Sequence, residues 1–234
     1  MKLIDILQRV QSLYSKGLNS DDSRLSYRHI YNKLLTVRSK LITNELNKKQ
    51  KLSQWNYQTL PCVELVLVPP HNCPCIPPIG CNILRTKYRL PEPLMGLSKN
   101  TIKTVSTIDR NILINEIAIN SIKYQSSNKY TSKKMNYFVE DGYLYITTSS
   151  KLEIITITGI FENPLEVENF KNYCNSDCVD CNKCINYLEE DFPIDLNLVD
   201  SLVEISSVEL VQNFNKSIED ITNNSRDTLK EYGK

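Results

Sequence analysis

Four cysteines in the last third of the chain have the residue type and spacing best suited to chemistry. Cys174, Cys178, Cys181 and Cys184 follow the pattern C-x3-C-x2-C-x2-C. Thiolates this close together can converge on one tetrahedral Zn²⁺, and C-x2-C steps also occur among the ligands of iron–sulfur clusters. Three interpretations stay open: a structural zinc site, free or partly disulfide-linked thiols, and a redox cluster. The cofactor prediction is none, apart from this structural zinc site.

A second group of thiols lies in the proline-rich loop PPHNCPCIPPIGC, which contains His71, Cys73, Cys75 and Cys81 and is preceded by Cys62. A Cys–His pair is the minimal machinery of a thiol-dependent hydrolase. However, no acid that would orient His71 is identifiable, and no helix N-terminus is evident to lower a thiol pKa. Prolines hold the backbone in a fixed extended shape. We therefore predict a docking loop, with His71, Cys73 and Cys75 as interface candidates. The alternative is a metal site to which His71 adds a nitrogen ligand.

Trp55 is the single tryptophan of the chain and follows the end of a predicted helix. Tryptophan is over-represented among the anchors of protein interfaces, so Trp55 is a candidate anchor at a subunit interface. The alternative is a buried plug between the helical and β parts of the chain. The sequence contains no serine-hydrolase elbow, Walker loop, zinc-protease motif or dinucleotide fingerprint. We therefore predict that the protein is not an enzyme.

The elements that must position these residues change type along the chain. Apolar residues recur at helical spacing at both ends of the chain. In the second of these predicted helices, Arg38 is expected away from the apolar face. The stripes are Leu3, Leu7, Val10 and Tyr14, then Ile30, Leu34, Val37 and Leu41, and finally Val199, Leu202, Val203, Val208, Val211, Phe214, Ile218 and Ile221. The short connection between the first two helices predicts an antiparallel helical hairpin over residues 1–58, onto which a C-terminal helix in residues 195–234 would pack.

Between the helices, alternation of apolar and polar residues predicts a β-domain over residues 59–165, followed by a cysteine-rich linker at 166–194. The predicted strands cover residues 62–68, 82–90, 102–108, 112–119, 137–140, 143–147 and 152–160. Asp141-Gly142 is the dipeptide that a type I′ hairpin turn favours. We predict an α+β fold, in which a bundle of N-terminal and C-terminal helices carries an inserted antiparallel sandwich or small barrel.

Composition excludes several classes of protein. Lys and Arg number 28 against 27 Asp and Glu, so the chain lacks the basic excess of an electrostatic nucleic-acid binder. Six glycines leave little material for phosphate-cradling loops. Charges interrupt the N-terminal apolar residues and prolines interrupt the longest uncharged stretch, which predicts neither a signal peptide nor a membrane span. We expect synthesis in the cytosol, with the cysteines reduced by default.

Several long segments resemble a structural protein of crAss-like phages, which are short-tailed phages of gut Bacteroidetes. The segments are SDDSRLSYRHIYNKLLTVRSKL, KKQKLSQWNYQTLPCVEL, CPCIPPIGC, SSNKYTSKK, IITITGIFENPLEVENF and EDFPID. The resemblance covers nearly the whole chain. It implies a virion protein of the head–tail connector, meaning an adaptor or ring protein stacked beneath the portal. Known tailed-phage adaptors combine a helical bundle with β-extensions, and the family carries no catalytic residues to transfer.

The resemblance also implies partners. The expected assembly is a homo-oligomeric ring of twelve copies that contacts the portal and other ring proteins, with no membrane involved. Genome DNA would pass through its lumen non-specifically, and a nearly neutral chain suits that role because strong phosphate binding would hinder sliding. The alternative function is a metal-binding scaffolding or regulatory protein centred on the cysteines from Cys174 to Cys184.

Overall fold

The computed structural model describes residues 1–15, 25–48, 51–69, 83–96, 101–125, 130, 134–147, 152–171 and 186–214. The chain divides into two compact units. Among the described residues, unit 1 comprises those in 1–41, 188–191 and 196–214, and unit 2 comprises those in 42–187 and 192–195. The fold is mixed α+β, as the sequence predicts.

Unit 1 contains three helical stretches: α1 (Leu3–Tyr14), α2 (Tyr27–Asn47) as far as residue 41, and α5 (Leu196–Phe214). Helices α1 and α5 pack against each other. The buried apolar residues of the unit include Leu3, Ile6, Leu7, Val10, Ile30, Leu34, Val37, Val199, Leu202, Val203 and Leu210. Residues 16–24 lie outside the described residues, and the bundle of helices from both ends stays a prediction.

Helix α1 begins without a side-chain cap. Its first backbone N–H groups have no partner inside the helix and need an acceptor elsewhere. The N–H groups of Leu3 and Ile4 donate to the carbonyl oxygens of Glu190 and Leu188, each across 2.9 Å. The short segment 188–191 therefore belongs to unit 1 because it completes the hydrogen bonding of the first turn of α1.

Unit 2 is built on a closed seven-stranded barrel in the order β1-β2-β6-β5-β4-β3-β7. The strands are β1 (Gln58–Val68), β2 (Ile83–Thr86), β3 (Ile102–Thr107), β4 (Leu113–Glu116), β5 (Asn136–Glu140), β6 (Tyr143–Thr147) and β7 (Ile154–Gly159). Unit 2 also contains two short helices, α3 (Ile122–Gln125) between β4 and β5 and α4 (Pro164–Lys171) after β7. Of the two predicted alternatives, sandwich and barrel, the structure has the barrel.

Strand β1 runs further than its sequence predicts, because a proline is accommodated within it. The pairing of β1 with β7 shifts register between Leu60 and Val63. Pro61 lies in this irregular step, where its missing N–H costs no ladder hydrogen bond. Its carbonyl oxygen accepts a hydrogen bond from the Thr156 hydroxyl at 2.9 Å. Beyond the step, Leu65 begins the pairing of β1 with β2.

One strand pair corrects the prediction of a purely antiparallel domain. Strands β4 and β5 pair in parallel, with Asn115 opposite Asn136 and Glu116 opposite Tyr137. A parallel pair needs a crossover connection of about a dozen residues or more. The chain between them passes through α3, so this connection is a crossover. The other pairs among the described strands are antiparallel.

The barrel encloses one apolar cluster and carries a second one on the opposite face of β5 and β6. Tyr137 belongs to the inner cluster, whereas Phe138 and Tyr145 belong to the second, where their rings stack at 5.1 Å. This split follows from the two-residue alternation of strand side chains. The inner cluster comprises Leu60, Val63, Leu65, Leu84, Leu90, Val105, Ile114, Tyr137, Leu144, Ile146, Ile155, Ile157, Phe161 and Val167.

The predicted type I′ turn between β5 and β6 is confirmed. Asp141 and Gly142 have φ angles of 52° and 78°, and a type I′ turn requires positive φ at both central residues. The Nε of Arg89 donates a hydrogen bond to the carbonyl oxygen of Asp141 across 3.0 Å. The turn therefore fixes the register of the hairpin and also ties it to the segment that follows β2.

Candidate interaction surface

The segment between α2 and β1 presents Trp55 to solvent. Residues Gln54–Asn56 form one turn of 3-10 helix, and the N–H of Trp55 donates to the Ser53 hydroxyl across 3.5 Å. Trp55 is 66% exposed. Trp55 is therefore not the buried plug of the alternative prediction, and its indole is accessible to solvent in the free chain.

Asn56, the residue after Trp55, joins this turn to the segment 192–195 of the same unit. Asn56 is completely buried, and its Oδ1 accepts a hydrogen bond from the backbone N–H of Asp195 across 2.9 Å. A buried polar side chain that lost its partner would carry a desolvation cost, so this hydrogen bond holds both segments together. Trp55 is consequently displayed on a turn whose position is set by a buried neighbour.

Tyr57 anchors the other end of the same turn. Burial raises the pKa of the Tyr57 phenol, and the Lys103 ammonium lies 4.4 Å from the ring centroid. The ring is therefore neutral at physiological pH and makes a cation–π contact on one face. The apolar cluster against which Tyr57 packs consists of Ile42, Leu94 and Ile160, with Leu46 and Leu52 at its margin.

A second exposed apolar feature is the tip of the β3–β4 hairpin, residues 107–113. Thr107 closes it: its N–H donates to the carbonyl of Ile112 at 3.1 Å, and its carbonyl accepts from the N–H of Arg110 at 2.8 Å. Ile108, Ile112 and Leu113 are about half exposed or more. The sequence predicts Asp109-Arg110-Asn111 as the connection between two strands, but it gave no expectation that the apolar residues on either side are exposed.

The helices of unit 1 carry charges of opposite sign. Residues 27–41 of α2 contain basic residues and no acidic one, whereas α5 contains Asp200, Glu204 and Glu209 and no basic residue. Lys33 and Lys40 of α2 both form ion pairs with Glu209, the second with Nζ to Oε1 at 3.4 Å. The Lys33 hydrogen bond is the main cause of the lowered pKa of Glu209.

Helix α5 also exposes apolar residues on the side away from its core contacts. Ile205 and Val208 are 36% and 48% exposed, whereas Leu202 and Leu210 are buried. The predicted apolar stripe of α5 included Val208, so that assignment is wrong for this residue. The reason is that α5 presents two apolar faces, and helical periodicity alone did not separate them.

Most of the chemically suggestive residues lie outside the described part of the chain. His71, Cys73, Cys75 and Cys81 do so, as do Cys174, Cys178, Cys181 and Cys184. The interface role of the first group and the zinc site of the second stay predictions. Cys62 is described and is disulfide-bonded, so the expectation of reduced cysteines is wrong for that residue. Among the described residues, no group of three or more His, Cys, Asp or Glu could hold a metal ion.

Burial and neighbouring carboxylates raise the pKa of one acidic group, Glu162. Glu162, whose N–H donates to the Glu92 carbonyl at 2.9 Å, has a raised pKa. Burial is the main cause, and the nearby carboxylates of Glu92 and Glu166 add to it. Mutual repulsion of this kind marks like charges held close together.

Comparison with known proteins assigns the chain to a family. The family model for phage tail ring protein 2, CrAss_Ring_2, matches residues 5–229. No curated protein matches the chain. Within the described residues, none of the helices is both long and apolar enough to span a membrane. Because the match covers nearly the whole chain and agrees with the resemblance found in its sequence, the protein belongs to the phage tail ring protein 2 family of crAss-like phages.

Proposed function

We propose that the protein is a non-enzymatic subunit of the head–tail connector, in a ring stacked below the portal. The observation that carries the proposal is the family match over residues 5–229. A ring protein works by presenting surfaces to its neighbours, and exposed apolar anchors on rigid elements suit that work. Trp55 and the β3–β4 hairpin tip are such features, and each is held by hydrogen bonds to its own backbone surroundings.

The proposed assembly is a closed ring of twelve copies that forms part of the DNA conduit and joins the capsid to the tail. Its proposed partners are the portal and the other ring proteins of the connector. We propose that unit 2 uses Trp55 to contact the adjacent component. The predicted docking loop with His71, Cys73 and Cys75 belongs to the same proposal. The near-neutral charge of the chain, +1 at pH 7, suits a lumen that does not retain DNA.

The test is the mass of the assembly and its binding to the portal. Native mass spectrometry and light scattering of the purified full chain should give a closed oligomer with a mass twelve times that of one chain. Purified portal should bind this oligomer and retain it on a sizing column. A chain that stays monomeric up to high concentration and does not bind the portal would refute the proposal.

A further inference from the structure

Two outward faces of unit 1 complement each other in charge and both contain apolar residues. The α5 face consists of Ser201, Glu204, Ile205 and Val208, and we call it the acidic face. The α2 face consists of Arg28, Asn32, Leu35 and Thr36, and we call it the basic face. Ser201, Ile205 and Val208 are four and three apart, and so are Arg28, Asn32 and Leu35, while Glu204 and Thr36 each lie four from another member, so each set lies on one side of its helix.

The two faces carry unused charges of opposite sign. Glu204 and Arg28 are both exposed. Within the described part of the chain, neither side chain forms an ion pair. The same kind of pairing already exists inside one copy, where Lys33 and Lys40 of α2 bind Glu209 of α5. Helices α2 and α5 are therefore opposite in sign, and among the described residues the exposed Arg28 and Glu204 are in no ion pair.

The apolar parts of the faces also match. Ile205 and Val208 are 36% and 48% exposed on α5, and Leu35 is half-buried on α2. Serine, asparagine and threonine surround them, and such small or uncharged side chains cost little to desolvate beside a hydrogen-bonding partner. A contact between these faces would bury aliphatic surface at its centre and leave an ion pair at its margin, the usual arrangement of a protein interface.

We infer that the acidic face of one copy docks on the basic face of the next copy in the ring. This inference rests on the proposed function, because it names the contact that would build the ring. The two faces are different surfaces of one chain, so their contact is head-to-tail, and a head-to-tail contact closes into a ring when its rotation allows. DNA does not fit the acidic face, since Glu204 would repel phosphate.

The test is a charge exchange in the full chain. Glu204→Lys and Arg28→Glu should each weaken self-association at least about 10-fold, because each places like charges opposite one another. The double variant, Glu204→Lys with Arg28→Glu, should restore the ring, because the ion pair is re-formed with its signs reversed. The control is Glu153→Lys, which makes the same charge change at an exposed site directly before β7 in unit 2 and should leave the ring intact.

The readouts are mass photometry for assembly and circular dichroism for folding. Ile205→Ser with Val208→Ser should also weaken association while the helical signal and the melting temperature are kept. Rings that persist in both single charge variants would overturn the docking inference and leave the proposed function standing. Loss of the ring in both single variants without rescue in the double variant would likewise overturn the pairing. A wild-type chain that never assembles would overturn the proposed function together with the inference.

Discussion

Glu209 on α5 holds two lysines of α2 at once. Its side chain is 27% exposed, and that of Lys33 is 21% exposed, so water screens this ion pair less than it screens a fully exposed one. The pair of Arg9 and Asp200 contrasts with it, because the carboxylate there is 93% exposed and lies 3.6 Å from its partner. We therefore expect Glu209 to make the stabilising electrostatic contact between α5 and α2.

We expect Glu209→Gln to lower the free energy of unfolding by about 0.5–1 kcal/mol at neutral pH. The pKa of Glu209 is lower in the folded chain than in the unfolded chain, so its contribution is present above the unfolded pKa and is lost as pH falls through the folded pKa. Urea unfolding followed by circular dichroism should show the difference between wild type and variant shrinking in acid and in high salt.

The matched control is Glu204→Gln on the same helix, measured at a concentration that keeps the chain monomeric. Glu204 is exposed and makes no ion pair in the described part of the chain, so the change should stay within about 0.5 kcal/mol of wild type. Equal losses in the two variants, or a Glu209→Gln difference that persists in acid, would contradict the assignment.

At the scale of elements, the barrel depends on strands that bend as they pass between neighbours. Gly159, the last residue of β7, pairs with Gln58 of β1 on one side and with Ile102 of β3 on the other. Both pairings shift register nearby, after Leu60 and after Ile102 respectively. Register shifts of this kind increase local bend and twist, which a closed barrel needs at its corners.

We expect Gly159→Ala to destabilise unit 2 by about 1 kcal/mol or more. A Cβ at this position would lie 3.3 Å from the Ile102 Cα and 3.3 Å from the Thr101 carbonyl oxygen. Both are backbone atoms, and they cannot rotate away as a side chain can. Thermal unfolding should show a lower melting temperature, whereas Thr104→Ala, at an exposed position on β3, should have little effect. An unchanged melting temperature in Gly159→Ala would contradict this prediction, because it would mean that the backbone at Thr101 and Ile102 moves away without destabilising the barrel.

At the scale of the whole molecule, net charge conceals how the charges are distributed. The chain carries only +1 in total, yet residues 27–41 of α2 are entirely basic in their charges and α5 is entirely acidic. A protein with that distribution can associate through specific faces without a strong field toward DNA. The single tryptophan adds a probe of the proposed contact made by unit 2, because its emission depends on whether solvent reaches it.

We expect the free chain to show the red-shifted emission of an exposed indole, because Trp55 is 66% exposed. Binding to the portal or to an adjacent ring protein should bury the indole of Trp55. The emission should then shift to the blue. Trp55→Ala should weaken that binding at least about 10-fold and change the stability of the free chain by less than about 0.5 kcal/mol. The control is Leu67→Ala, at a site on β1 with 68% exposure.

Unshifted emission in a bound complex would contradict the proposed role of Trp55. Comparable weakening by Leu67→Ala would show that loss of any exposed apolar side chain suffices, and it would contradict a specific anchor. These outcomes are independent of the contact between copies through α2 and α5, because Trp55 belongs to unit 2. The two surfaces can therefore be tested separately on the same full chain.

The sequence by itself determined the features that depend on near neighbours in the chain. Helical periodicity located α1, α2 and α5, alternation located the seven strands, and Asp141-Gly142 specified its type I′ turn through backbone conformation alone. The predicted strand began at residue 62, because local rules end a strand at a proline such as Pro61. The structure accommodates Pro61 within β1 through a register shift with β7. The long family-specific segments also sufficed for the family.

Only the tertiary structure decided which face of each element meets which neighbour. Periodicity placed Arg38 off the apolar face of α2, yet Arg38 is fully buried and its burial lowers its pKa to about 10. It also placed Val208 in the core stripe of α5, where it is exposed. The parallel pairing of β4 with β5 was equally invisible, because strand partners are chosen by long-range closure of the barrel rather than by local pattern.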